Sequence, residues 1–253
     1  QRVALARTLR GNPRVVLLSH GPSSPNFFED AYLARYLGYT LVEGGDLAVR
    51  KNQVMLKTLG GLLPVDVILR RQNSNDCDPL ELGSTSTLGV SGLTQASRAG
   101  TVEIVNALGS GLVESVAFMA FMPQLCQTLL GEELAMPGVA SWWCGQPESC
   151  KYVLNNLDRL IVQPAFRNRG KDGPTRRALE NMPLAKLAEK IRSNPSQYAA
   201  QEKVLRSSIP VWNHNLRSAH LAVRAYLVGN GDKYTVMQGA LARTSVALDP
   251  LEL

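Results

Sequence analysis

The chain has few cysteines, and they are badly spaced for metal. Its four are Cys77, Cys126, Cys144 and Cys150, with no Cys-x-x-Cys pair among them. The three histidines, His20, His214 and His220, form no ligand spacing with them. A structural zinc site is therefore excluded by pattern. A disulfide scaffold is equally out of keeping with so few cysteines in 253 residues. The thiols read as buried free cysteines of a protein in a reducing cytoplasm. Cys144, followed by Gly145, is the first to test as a catalytic thiol. No apolar run is long enough to cross a bilayer, and no secretory leader pattern is present. No internal repeat or low-complexity tract occurs. No initiator Met opens the chain, which starts Gln1-Arg2-Val3-Ala4 and ends Asp249-Pro250-Leu251-Glu252-Leu253. Both ends read as cuts in a longer protein, or as a processed or incomplete gene product.

What is present is ordinary for a globular protein: 45% hydrophobic and 19% charged residues. The length allows one large core or two smaller ones. The formal charge of +6 comes from 27 basic and 21 acidic residues. Small basic clusters stand at Arg167-Asn168-Arg169-Gly170-Lys171 and Arg176-Arg177. They read as a solvated loop, or as a mouth attracting an anionic substrate. No aromatic–basic platform accompanies the charge, so a nucleic-acid partner is not expected, and neither is a membrane.

Local patterns predict an α/β fold. Arg14 to Ser19 is a β-prone run ended by Gly21-Pro22. Phe27, Ala31, Leu33, Ala34 and Leu37 mark a helical face that Gly38 stops. Thr40-Leu41-Val42 follows as a strand, completing a βαβ unit and pointing to a parallel sheet. Leu47–Val49 and Val54–Leu56 flank a turn, without the Asn-Gly pair that hairpins favour. Val65 to Leu69 is a further buried strand, and Arg70 and Arg71 stand at its end, where open α/β sheets gather ligands. They would clamp a carboxylate or phosphate, or pair with Asp66, Asp76 or Asp78. Gly92 to Ala99 reads as a short helix and Val102 to Asn106 as a strand. The loop Gly109-Ser110-Gly111 offers amides to an anion. It completes neither a dinucleotide fingerprint nor a P-loop, because no Gly-Lys-Ser/Thr follows.

Val113 to Leu130 is helical with a break at Pro123, and its Phe118, Met119, Phe121 and Met122 read as core filler. Pro147 to Leu157 is a helix leading into the strand Leu160–Val162, which ends in Gln163-Pro164. A polar side chain at a strand end is how a nucleotide-binding lobe presents a group to phosphate. Arg167 to Thr175 is the candidate mobile loop. A helix is expected from Pro183 to Arg192, and a strand-to-loop segment at Tyr198–Val204. Leu221–Val228 and Lys233–Met237 are expected to form a hairpin through Gly229-Asn230-Gly231-Asp232.

Several collinear runs are similar to the circularly permuted ATP-grasp family, over Arg14 to Arg243. They are Phe28-Glu29-Asp30-Ala31-Tyr32-Leu33-Ala34-Arg35-Tyr36-Leu37-Gly38, Leu41-Val42-Glu43-Gly44-Gly45-Asp46-Leu47, Cys77-Asp78-Pro79-Leu80-Glu81-Leu82, Asn106-Ala107-Leu108-Gly109-Ser110-Gly111 and Trp142-Trp143-Cys144-Gly145. The resemblance is closest to large bacterial members that carry an additional helical domain. It implies a Rossmann-like pre-ATP-grasp domain over residues 1–110. An incomplete circularly permuted ATP-grasp α+β domain, the nucleotide-binding region, would then occupy residues 111–253. Similar enzymes use ATP and Mg²⁺ to turn a small-molecule or peptide carboxylate into an acyl phosphate that an amine attacks. The protein's work in such chemistry is phosphate positioning and charge neutralisation.

Residue by residue, the resemblance puts Gln163 where the family has a phosphate-contacting Lys. It places Gln201-Glu202-Lys203-Val204 along adenine and ribose, and Arg224 and Arg243 at phosphate. The alternatives are a Glu202–Arg224 pair across strands and a surface role for Arg243. Arg70, Arg71 and Gly109-Ser110-Gly111 fall on the substrate side. The sequence departs from the family at Gln163, at Asn73-Ser74-Asn75-Asp76 in place of an acidic cluster, and at Gln238-Gly239-Ala240. The family's upstream metal-binding run is not found, so no Mg²⁺ ligand is assigned. These departures lead to the expectation of a ligase-like chain that is impaired or inactive alone. The alternatives are a non-catalytic nucleotide-binding or scaffolding remnant, or a Rossmann-like domain taking another anion at Gly109-Ser110-Gly111.

Overall fold

A computed structural model describes residues 11–82, 88–166, 175–204, 206–230 and 233–245. Most of the expected loop 167–175, the turn residues Gly231-Asp232 and both chain ends lie outside the described residues. The chain is mixed α/β and divides into two compact units, Gln1–Glu114 and Ser115–Leu253.

In the first unit, β1 (Val15–Leu18), α1 (Phe27–Leu37) and β2 (Thr40–Val42) form the expected βαβ unit. With β6 (Val67–Arg70) and β7 (Glu103–Val105) they build a parallel sheet of order β2-β1-β6-β7. β1 is central, and Val16, Leu17 and Leu18 are fully buried, which is why its sequence is continuously apolar. α1 packs on β1 and β2 and ends where Gly38 takes φ 71°. The meander β3 (Leu47–Arg50), β4 (Gln53–Thr58) and β5 (Gly61–Pro64) shares a core with the sheet through Leu47, Val54 and Leu56. The β3–β4 turn is made by Lys51 (φ 50°) and Asn52 (φ 60°), the two left-handed residues that a two-residue hairpin requires. α2 (Leu93–Arg98) buries Leu93 and Ala96 in the same core.

The second unit opens with α3 (Val116–Met119) and α4 (Met122–Leu130). The helical break falls at Ala120-Phe121. Pro123 stands in the first turn of α4, where its missing amide costs nothing. Met119 and Met122 are exposed, so they are not core filler. β8 (Ser141–Trp143), α5 (Pro147–Asn155) and β9 (Leu160–Pro164) follow. Then come α6 (Arg176–Glu180), α7 (Leu184–Ser193) and β10 (Tyr198–Glu202). β10 lies between β8 and β9, antiparallel to both, giving a split βαβ arrangement. α5, α6 and α7 cover one face of this sheet with Val153, Leu179, Leu187 and Ile191 around Val162 and Ala200.

β11 (Ser208–Asn213), β12 (Asn215–Arg224) and β15 (Leu241–Ser245) make a second antiparallel sheet. Here the expected hairpin is corrected. Leu221 to Arg224 belong to β12, and the hairpin arms are β13 (Leu227–Asn230) and β14 (Lys233–Val236). Ala225-Tyr226 separate the two uses of the run. A further hairpin, β11–β12, turns at His214 with φ 59°.

Candidate functional site

The sequence-predicted residues fall at three places. The first is the C-terminal edge of the parallel sheet. There Arg70 donates from Nε to the Asn106 carbonyl (3.0 Å) and from Nη1 to that of Gln72 (2.5 Å). Its Nη2 reaches Ser110 Oγ (3.3 Å), while the Gly109 amide donates to Ser74 Oγ (3.2 Å). Arg70, Gly109 and Ser110 thus fasten the glycine loop to the end of β6, and Gly111 is exposed. Arg71 pairs with Asp30 (2.7 Å) and Glu29 (2.6 Å), carboxylates of α1 rather than the aspartates expected. Burial alone would lower the Arg71 pKa, but these two carboxylates raise it. Asp30, only 1% exposed, also accepts from Ser19 Oγ (2.8 Å). Asp30 escaped sequence reading because a carboxylate in the first turn of an amphipathic helix looks solvated.

The second place is one face of the β8-β10-β9 sheet. Gln163 stands opposite Ala199, and Gln201 opposite both Ile161 and Ser141, so Gln163, Gln201 and Ser141 share that face. Gln163 Nε2 donates to Gln201 Oε1 (2.6 Å), and Gln201 Nε2 donates to Ser141 Oγ (3.0 Å) and to Met119 Sδ (3.6 Å). α3 packs on this face through Ala117 against Ala165 and Ala199. Glu202 alternates to the other face, opposite Leu160, and is exposed, as is Val204. The neighbouring Lys203 donates to the Asp158 carbonyl (2.6 Å).

The third place is the β11-β12-β15 sheet. Arg243 pairs with Ala222, and Arg224 with Leu241. Side-chain alternation puts both arginines on one face as diagonal neighbours. His220, opposite Ser245, lies on that face too, and its buried Nδ1 has no hydrogen-bond partner among the described residues. Arg224 is exposed and Arg243 half-buried. Glu202 and Arg224 belong to different sheets, so the pairing across strands considered for them does not form.

Cys144 is 2% exposed, and burial followed by its contact with Cys150 pushes its thiol up to about 12. A thiol so held is protonated at neutral pH and ill suited to be the first nucleophile on a substrate. Among the described residues no group of three or more His, Cys, Asp or Glu could hold a metal ion. No helix there is long and apolar enough to cross a membrane.

Residues 2–245 match the family described as circularly permuted ATP-grasp type 2. An uncharacterized protein of Mycobacterium tuberculosis is 39% identical over 232 residues, covering 91% of this chain and 26% of its own length. One of Synechocystis is 34% identical over 238 residues, covering 92% of this chain and 49% of its own length. The chain thus spans about a quarter to a half of these relatives. Among solved structures, the ATP-grasp ligase PsnB, complexed with a minimal precursor, aligns at TM-score 0.43 and 13% identity. The D-Ala:D-Ser ligase VanG of Enterococcus faecalis aligns at TM-score 0.38 and 10% identity. Each alignment covers 92% of this chain and 76% of the other. By the sequence match along nearly its whole length, the chain belongs to the type 2 circularly permuted ATP-grasp family.

Proposed function

We propose that this chain is the nucleotide-handling part of an ATP-dependent carboxylate–amine ligase that forms an amide or peptide-like bond through an acyl phosphate. Family membership over residues 2–245 carries the reading. In it, the first unit is the Rossmann-like domain that precedes the grasp, and the second binds the nucleotide. ATP supplies the phosphoryl group that activates the carboxylate. Arg224 and Arg243, two cations on one sheet face, suit its phosphates, and the Gln163 amide is a neutral donor where the family has a Lys. Gln201 to Val204 would lie along adenine and ribose. The Mg²⁺ that the family implies finds no cluster of carboxylates among the described residues, and we assign it no ligand here. Substrates would be a small-molecule or peptide carboxylate and an amine. The additional helical domain belongs to the resemblance alone.

Gln163 spends one donor on Gln201, which favours a second reading, a nucleotide-binding remnant without turnover. Isothermal titration with ATP and Mg²⁺, paired with a phosphate-release assay, separates the two. Saturable binding with Mg²⁺-dependent release supports the ligase, and binding without release supports the remnant. No binding at millimolar ATP overturns both.

A further inference from the structure

A cavity of about 460 Å³ in the second unit lies along α5, and none of the residues of the proposed nucleotide site is among those that line it. Cys144, Gly145 and Cys150 line it together with Lys151, Asn155 and Arg192. Two thiols therefore open on one space beside two cations. Their backbones are fixed. The Cys144 amide donates to the Tyr198 carbonyl (3.0 Å), and the Cys150 amide donates to that of Gln146 (2.9 Å). The turn between them is tight, because the Gln146 amide donates back to Trp143 (3.1 Å), whose indole covers Gly145. Cys144 belongs to an apolar cluster against which Cys150 packs. Cys144 is buried and Cys150 half-buried, so a reagent entering the cavity meets Cys150 first.

We infer that Cys144 and Cys150 form a reversible dithiol site that a hydroperoxide entering this cavity converts to an intramolecular disulfide. Lys151 and Arg192 line the same space as Cys150. The Cys150 sulfur attacks the peroxide oxygen, the O–O bond breaks, and Cys150 becomes a sulfenic acid as water or an alcohol leaves. The Cys144 sulfur then attacks the Cys150 sulfur. The S–O bond breaks, and the departing hydroxide takes the Cys144 proton to leave as water. Each sulfur is oxidised by one electron, and the peroxide is reduced by two. The product ties the end of β8 to the start of α5, and a dithiol reductant reverses it.

The test treats the folded chain with hydrogen peroxide, alkylates it after unfolding, and maps it without reduction. Trypsin releases residues 99–151 as one peptide holding Cys126, Cys144 and Cys150. The expected peptide lacks two hydrogens and carries an alkyl group on Cys126 only, with a chymotryptic digest assigning the link. Dithiothreitol restores alkylation of Cys144 and Cys150. In Cys144→Ser the expected product is Cys150 over-oxidised to sulfinic acid. In Cys150→Ser, Cys144 stays reduced under the same dose. Overturning results are full alkylation of Cys144 after Cys150 has been oxidised in the native chain, or a disulfide that joins Cys126 instead.

Discussion

Gln163 and Gln201 stand diagonally across β9 and β10, and their amides meet at 2.6 Å, Nε2 of the first donating to Oε1 of the second. Gln201 in turn donates to Ser141, so one polar chain crosses all three strands. Under the proposed function, three neutral groups hold the place that the resemblance gives to a phosphate-contacting Lys.

That relationship makes Gln163→Lys informative. A Lys ammonium can keep a donor on Gln201 Oε1 and still present charge. A charge-assisted hydrogen bond is worth about 1.5–3 kcal/mol, so ATP should bind about ten- to a hundredfold more tightly. Titration calorimetry reads the change directly. An unchanged affinity, with the variant as stable as the parent, would place Gln163 away from phosphate.

Arg224 and Arg243 lend themselves to a cleaner loss. Arg224 is exposed, and its replacement by Ala should leave stability within about 0.5 kcal/mol. Losing one charged donor to phosphate should weaken ATP binding about tenfold or more. Arg224→Ala and Arg243→Ala should also flatten the dependence of ATP affinity on salt, because fewer charges are then screened. Nucleotide affinity that ignores both substitutions would remove this face from the proposed site.

The legible parts of the chain were those whose signals are local. The apolar run Val15–Leu18 reads as a central parallel strand because both its faces are buried. Gly38 reads as a helix stop because its left-handed conformation suits glycine. What escaped depends on partners distant in sequence. No local pattern shows that β10 slides between β8 and β9, and so none shows that Gln201 becomes the partner of Gln163. The β11–β12 hairpin hid because Asn213-His214-Asn215 has no glycine, yet His214 adopts the left-handed region. The arginine pair was named through resemblance. Only the register of β12 against β15 sets the two on one face.

Asp78 should govern part of the acid stability of the first unit. Its carboxylate is fully buried and accepts the amides of Leu80 (3.1 Å), Gly92 (3.2 Å) and Thr94 (2.9 Å). Burial by itself would raise its pKa, but the three amides win and hold it below the usual carboxylate range. A depressed folded pKa stabilises the fold above the unfolded value, near about 4. The stabilisation fades as pH falls through the folded value. Asp78→Asn turns an acceptor-only group into one carrying donors that face other donors, at a cost of about 3 kcal/mol at neutral pH. Urea unfolding at neutral pH and below pH about 4 should show the gap between parent and variant narrowing in acid. A gap that stays constant would mean that the charge on Asp78 does not matter.

Arg71 separates a structural from a substrate role. It is the ion-pair partner of the almost fully buried Asp30, and removing it leaves that carboxylate with Ser19 Oγ. Breaking such a pair from one side costs about 3–5 kcal/mol, because a buried charge loses its counter-ion. Arg71→Ala should therefore lower the urea midpoint strongly. The double variant Arg71→Ala with Asp30→Asn should lose less than the sum of the two single changes, since residues in one network couple. Arg71→Lys should recover only part of the loss, because a single ammonium does not reproduce the fork that serves Asp30 from Nε and Glu29 from Nη2. If Arg71→Ala instead unfolds like the parent, the Asp30 pair contributes nothing to the fold, and the guanidinium is free to serve a substrate carboxylate.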